Sequence, residues 1–276
     1  MKLRRIVPVV AAAAIVSSVM SCNRRENNDS ISFEILNASA AFRLENSAKD
    51  FGMDSDLVIV DSVSMVMPEI IFGQDAGMLK DSIMSAAFDT VCEKTSDAID
   101  RFYSNSLEDF GYSATRRHAT GLTFEYADGI SLVTGNVLSL TPSMLTYLVT
   151  NYVYYPRAAH GMTQTRYITY YISDARILSL SDLFTPEGLE KLPAMIAARA
   201  AKLRSQLGPT DIKALPSTGN FYIDVNGSVV FVYQPYEVAS YAQGEITVPF
   251  YAYQLSDLMT PEGLKIFGLS KADSNI

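Results

Sequence analysis

Between residues 31 and 67 apolar and polar side chains alternate at period two, first in ISFEILNASAAF and then in DLVIVDSVSMVM. Alternation rich in β-branched residues predicts two half-buried strands, joined through a turn region at Lys49–Asp56. The period then lengthens. From about Asp75, apolar and small residues at Leu79, Ile83, Ala87, Val91, Thr95, Ala98 and Phe102 recur near helical spacing, with Asp81, Asp89, Lys94 and Asp97 opposite. That predicts one amphipathic helix. Period two returns from Gly121. LTFEYADG, ISLVTGNVLSL, MLTYLVTNYVYY and TRYITYYIS are strand candidates, separated by Asp128-Gly129, Thr141-Pro142 and His160-Gly161. No helical run intervenes, so successive antiparallel hairpins fit better than βαβ units.

A second helix is predicted from about Pro186 to Leu207, presenting Leu189, Leu192, Ile196, Ala200, Leu203 and Leu207. Pro193 lies too deep for a first turn and is expected to kink or divide it. FYIDVNGSVVFVY reads as a hairpin with Asn226-Gly227 at its tip. GEITVPFYAY supplies a last strand, which Pro249 places at an edge. The fold class expected is α+β, with antiparallel sheets and a helix packed on each. We divide it into an N-terminal module at 31–115 and a C-terminal module at 116–276.

One short sequence occurs twice. LSDLFTPEGL (Leu180–Leu189) returns as LSDLMTPEGL (Leu255–Leu264), differing only at Phe184 and Met259. In each copy a Thr (Thr185, Thr260) suits a helix N-cap, a Pro (Pro186, Pro261) the first helical position, and a Glu (Glu187, Glu262) the positive helix end. The likeness ends with the ten residues. A strand-to-helix junction used twice is therefore expected, not a duplicated domain.

The chain opens with the basic MKLRR, an apolar run IVPVVAAAAIVSSVM, then Ser21-Cys22. This is the layout of a secretory signal over residues 1–21, and the apolar run is short for a membrane span of about 20 residues. Val19-Met20-Ser21-Cys22 resembles a bacterial lipobox, so Cys22 is expected to be lipidated and to start the exported chain. Residues 22–30 are polar and aperiodic, the pattern of a flexible tether. A lipid anchor holds by about 0.8 kcal/mol per buried methylene and does not span. The expected location is the bacterial cell envelope.

Losing Lys2, Arg4 and Arg5 with the signal leaves 19 basic against 30 acidic side chains, a formal charge of −11. An acidic body disfavours nucleic acid, and either serves solubility or steers a basic partner. With Cys22 acylated, Cys92 has no partner for an intramolecular disulfide and reads as a small buried hydrophobe.

The chain has two histidines, His118 and His160. No H-x-x-x-H, C-x-x-C, G-x-S-x-G or P-loop pattern occurs, so no metal, cofactor or catalytic residue is expected. His118 follows Arg116-Arg117 in a polar stretch and reads as solvated. His160 either holds a turn by hydrogen bonding or, with Glu237, serves hydrolytic chemistry. Seven of the sixteen tyrosines fall between Tyr147 and Tyr171. Adjacent rings such as Tyr154 and Tyr155 must lie on opposite faces of a strand, so one face shows tyrosine to solvent or to a covering element. The helix at 186–207 is the candidate cover. Exposed tyrosine on a rigid sheet suits binding of protein or sugar.

Three stretches carry a resemblance: Tyr155-Pro156-Arg157-Ala158-Ala159-His160-Gly161, Leu178-Ser179-Leu180-Ser181-Asp182-Leu183-Phe184, and the run FVYQPYEVASYAQG from Phe231 to Gly244. With these the chain resembles the extracellular family of the lysozyme-sensing anti-sigma factor RsiV. Its first part is similar to the module before the catalytic domain of the peptidoglycan deacetylase PdaC. The resemblance implies an α+β fold with antiparallel sheet, no catalytic activity in these modules, and lysozyme binding by some relatives. The chain lacks RsiV's sigma-binding segment and PdaC's deacetylase domain, so neither activity is expected. The family carries Gly-Gly where this chain has Arg157-Ala158; if those glycines supply a positive φ, the turn is expected to differ here. YEVASYAQ is expected to form a helical turn closed by a left-handed Gly244.

The expected function is that of a non-enzymatic envelope lipoprotein binding a macromolecule, either a lysozyme-like muramidase or a peptidoglycan fragment. Candidate ligand-binding residues are Tyr152, Tyr154, Tyr155, His160, Tyr167, Tyr236, Glu237 and Tyr241. The alternatives are a structural or assembly lipoprotein, and a glycan hydrolase centred on His160 and Glu237.

Overall fold

The computed structural model describes residues 18–22, 30–44, 56–92, 94–109, 116–118, 124–203 and 218–270, with 18–22, 44, 107–109 and 116–118 as backbone only. Most of the expected signal, the tether at 23–29, the end of the helix at 204–207 and the His118 side chain lie outside the described residues.

The sheet is mixed and long. Strands β1 (Ser18–Cys22), β2 (Ile31–Leu44), β3 (Leu57–Ile71), β6 (Gly129–Leu140), β7 (Met144–Tyr154), β8 (Met162–Tyr171) and β9 (Arg176–Ile177) lie side by side in that order. Short strands β4 (Gln74–Asp75) and β5 (Arg116–His118) attach to β3 and β2. Every pairing is antiparallel except β3 with β6. That parallel pair needs a crossover, and helices α1 (Gly77–Phe88) and α2 (Thr95–Asp109) supply it. A three-stranded antiparallel sheet follows, β10 (Phe221–Ile223), β11 (Ser228–Tyr233) and β12 (Ile246–Tyr251). The class is α+β. Residue 115 falls between β3 and β6, which are neighbours in one sheet.

Two interiors form. α1 and α2 lie on one face of the large sheet over Leu36, Ile59, Met65, Val149 and Tyr170. The second interior joins Leu183 of α3 (Leu180–Leu183) and Leu192 and Ile196 of α4 (Pro186–Lys202) to Phe231, Tyr233 and Val248 of the small sheet. Helix α4 packs on β12 and the 3-10 segment Ala252–Leu258, so it does not cover the tyrosine-bearing strands. Pro249 sits on the edge strand β12, as its missing N–H requires.

Three local expectations are corrected. The single helix after Asp75 is two helices, because Asp89 adopts a left-handed conformation (φ 51°) that ends α1; Val91, in phase with the stripe, is exposed. Within LTFEYADG the described residues are not extended at first: Phe124–Tyr126 form a 3-10 turn, and Asp128 then donates to Val58 O and accepts from Val58 N just before β6 begins. Pro193 does not divide α4, which stays continuous and keeps its buried stripe at Gly188, Leu192, Ile196 and Ala200.

The two LSDL(F/M)TPEGL copies meet each other. Each is a junction as expected: Thr185 and Thr260 accept from Gly188 N and Gly263 N and cap α4 and α5 (Pro261–Ile266), each with Pro at the first turn. The junctions pair antiparallel about Phe184 and Met259, with Thr185 N donating to Leu258 O and Thr260 N to Leu183 O, both at 2.9 Å. Gly188 packs against the Leu258 carbonyl and Gly263 against the Leu183 carbonyl, leaving no room for a Cβ at either. The repeat is two interlocking halves of one clasp.

Candidate functional site: a strained aromatic patch beside a cleft

Two turns build the site. Tyr155-Pro156-Arg157-Ala158 closes with Ala158 N on Tyr155 O, and Gln234-Pro235-Tyr236-Glu237 closes with Glu237 N on Gln234 O, both at 3.0 Å. In each, proline fixes the second position and a non-glycine residue takes positive φ at the third, Arg157 at 62° and Tyr236 at 70°. A type II turn asks for that conformation and normally gives it to glycine. The Arg157 turn thus takes a left-handed residue here without a glycine. The strain is the cost of placing two large side chains there.

His160 follows the first turn by two residues and meets the second through Tyr236. Its Nδ1 meets Gly161 O at 3.0 Å; a carbonyl only accepts, so Nδ1 carries the proton. In the neutral ring Nε2 then accepts from the Tyr236 hydroxyl at 3.3 Å. Tyr241 stacks on the imidazole with ring centroids 3.7 Å apart and 16° between planes, and its hydroxyl donates to Gly161 O at 2.8 Å. A Cβ at Gly161 would run into the Tyr152 phenol, which would have to move aside. Tyr236 is 58% exposed.

The expected helical turn over YEVASYAQ is instead the tight turn at Pro235 followed by a 3-10 turn at Tyr241–Gln243. Gly244 ends it at positive φ but extended ψ (67°, −154°), outside the left-handed helical region. Glu237 is exposed, and its carboxylate accepts from Gln234 N at 2.8 Å, bracing the Tyr236 turn. Among the described residues no hydrogen bond or ion pair joins His160 to Glu237.

The remaining candidates separate. Tyr154 donates to Ala158 O and braces the first turn, whereas Tyr155 lines a cleft under α1 and α2, so adjacent rings do part to opposite sides. Tyr167 stacks on Tyr222 of the small sheet (4.5 Å, 19°) and donates to Glu245 Oε1 at 3.1 Å. Burial, then the Glu245 carboxylate, push its hydroxyl above the ordinary tyrosine range. The cover over this face is thus the small sheet. Tyr152, Tyr154, Tyr167 and Tyr241 do not line one open concavity.

Spacing gave no notice of the amides that hold the small sheet in place. Along the outer edge of β8, Gln234 accepts from Thr165 N (3.0 Å) and donates to Thr165 O (2.9 Å); Asn220 accepts from Tyr167 N and donates to Thr165 O, both 3.0 Å. Two side-chain amides take the place of a neighbouring strand. Asp61 was legible, since it falls in phase with Leu57, Ile59, Val63 and Met65 on the buried face of β3. It is fully buried, accepts from Ser106 Oγ at 2.8 Å, and its other oxygen has no partner; burial pushes its carboxyl up to about 7. Among the described residues no three His, Cys, Asp or Glu side chains gather as a metal site.

Residues 181–251, which include the Gln234–Gly244 loop, match the family described as "Protein of unknown function (DUF3298)". No curated protein matches the chain. The fold is similar to the crystal structure of a DUF3298 family member from Bacteroides fragilis (TM-score 0.65, 18% identity, covering 90% of this chain and 100% of that one). It is also similar to a DUF3298 family protein from Pseudomonas aeruginosa PAO1 (TM-score 0.57, 17% identity, 85% and 97% covered). At these identities the likeness is one of fold.

Proposed function

We propose that this chain is a non-enzymatic lipoprotein of the bacterial envelope, anchored through Cys22. Its patch of His160, Tyr236 and Tyr241 binds a basic macromolecular ligand of the lysozyme type. The observation that carries this reading is the strained proline turn that sets the exposed Tyr236 phenol against the His160 imidazole. Strain of this kind persists where the surroundings impose it, and here it fixes an exposed phenol on a rigid base. A rigid aromatic anchor loses little entropy on binding and is the usual centre of an interface hot spot. The acidic balance of the exported chain favours a basic partner. The location rests on the signal and lipobox pattern; among the described residues no helix is long and apolar enough to cross a membrane.

Calorimetric titration with lysozyme tests the proposal. Saturable binding that weakens about thirtyfold in Tyr236→Ala supports it. No heat at millimolar lysozyme, or equal affinity in the variant, would retire it. Labelling with radioactive palmitate in the producing cell, lost in Cys22→Ser, tests the anchor separately.

A further inference from the structure

A cleft of about 300 Å³ opens between the helix pair and the sheet, on the side away from the small sheet. Its walls include Phe102, Asn105 and Ser106 of α2, its floor Ser131 and Asn151 of β6 and β7, and its rim Tyr155. The chemistry of this lining is specific. Asn151 donates to Ala86 O at 3.4 Å, while its amide oxygen has no hydrogen-bond partner. Ser106 spends its proton on buried Asp61 at 2.8 Å, so toward the cleft its oxygen only accepts. The cleft offers the amides of Asn105 and Gln164 and the Ser131 hydroxyl beside the rings of Phe88, Phe102, Tyr152 and Tyr155. The charged residue on its rim, Asp89, faces Arg166 at 3.3 Å. A group with N–H or O–H donors and a flat apolar face satisfies both features, and nothing in the lining asks for a net charge.

We infer that this cleft is a saccharide subsite taking one to two neutral sugar rings. Hydroxyls or an amide of the sugar meet the Asn105, Ser131 and Gln164 side chains, and a ring face lies against Phe102 or Tyr155. The volume sits at the lower end of the range for small-ligand pockets, roughly 300–1,000 Å³, and excludes a longer enclosed chain. The open side runs past Gln164 toward the hollow at Thr165 and Gln234, so a longer glycan would leave the cleft along β8. The inference does not rest on the aromatic patch, since His160, Tyr236 and Tyr241 do not line the cleft.

The test is titration of the full chain with N,N′-diacetylchitobiose. Saturable binding is expected, weakened on the order of tenfold or more in Asn105→Trp, which plugs the mouth from an exposed helix position, and in Asn151→Leu, which strips the floor of its amide. Lysozyme binding should be unaffected by Asn105→Trp, so failure of the cleft and failure of the patch are read separately. Thermal melting at the wild-type temperature shows that Asn105→Trp is folded; if Asn151→Leu is not, Asn105→Trp alone decides. No saturation by about 10 mM sugar, a weaker binding than a specific subsite gives, would overturn the assignment. So would undiminished binding in folded Asn105→Trp, or binding lost in Tyr236→Ala instead.

Discussion

Asp61 is the residue most at odds with its surroundings. A carboxyl with one serine partner and full burial holds its proton to about pH 7 in the folded chain, against an ordinary value near 4 when unfolded. Below about pH 4 both states are protonated and nothing is lost. Between 4 and 7 the unfolded chain releases the proton and the folded chain keeps it, so stability falls as pH rises, by about 4 kcal/mol once pH passes 7. Asp61→Asn keeps an acceptor for Ser106 without the charge. Denaturant melts should show it more stable than wild type by several kcal/mol at pH 8 and equal at pH 4; a gap independent of pH would contradict the assignment. Strain gives a second prediction. Arg157→Gly should raise stability by about 1 kcal/mol, since glycine takes φ of 62° without a Cβ penalty. Tyr236→Gly should relieve similar strain yet weaken lysozyme binding, separating the structural effect from the functional one.

Among the elements, the paired junctions carry the clearest consequence. Gly188→Ala and Gly263→Ala each drive a methyl into a backbone carbonyl that cannot yield without opening the clasp. Each should cost roughly 2–3 kcal/mol in urea unfolding, and by similar amounts because the contacts are reciprocal. Wild-type stability in either variant would show that the copies do not interlock. Much of this was legible. Period-two runs located β2, β3, β6, β7, β8 and β12, and the Thr-Pro-Glu signature marked both junctions. That the copies pair was not legible, because hydrogen bonds between residues some 75 positions apart leave no local pattern. The break at Asp89 was hidden for a related reason: its left-handed conformation competes with an apolar stripe that continues in phase to Phe102. His160, Tyr236 and Tyr241 were singled out on motif resemblance, but their stacking depends on how β8 meets the small sheet. The amides that fix that meeting, Gln234 and Asn220, carry no periodicity at all.

At the scale of the molecule, one sheet spans most of the chain and a smaller one is clipped to its edge, so the patch sits at a seam between them. A seam held by amide–backbone bonds is stiff, and stiffness is what the exposed Tyr236 needs to act as an anchor. Charge acts over longer range. With a formal charge of −8 over the full sequence, or −11 without residues 1–21, association with lysozyme should slow as salt rises from about 50 to 300 mM while dissociation changes little. Salt-independent association kinetics would remove charge steering from the account. The molecule carries its own control, because Tyr251 and Tyr253 form an exposed stacked pair outside the patch. Hydroxyl-radical footprinting of the tyrosines with and without saturating lysozyme is the most direct test. The account predicts protection at Tyr236 and Tyr241, with Tyr251 and Tyr253 unchanged. Protection confined to Tyr251 and Tyr253, or none anywhere, would contradict it.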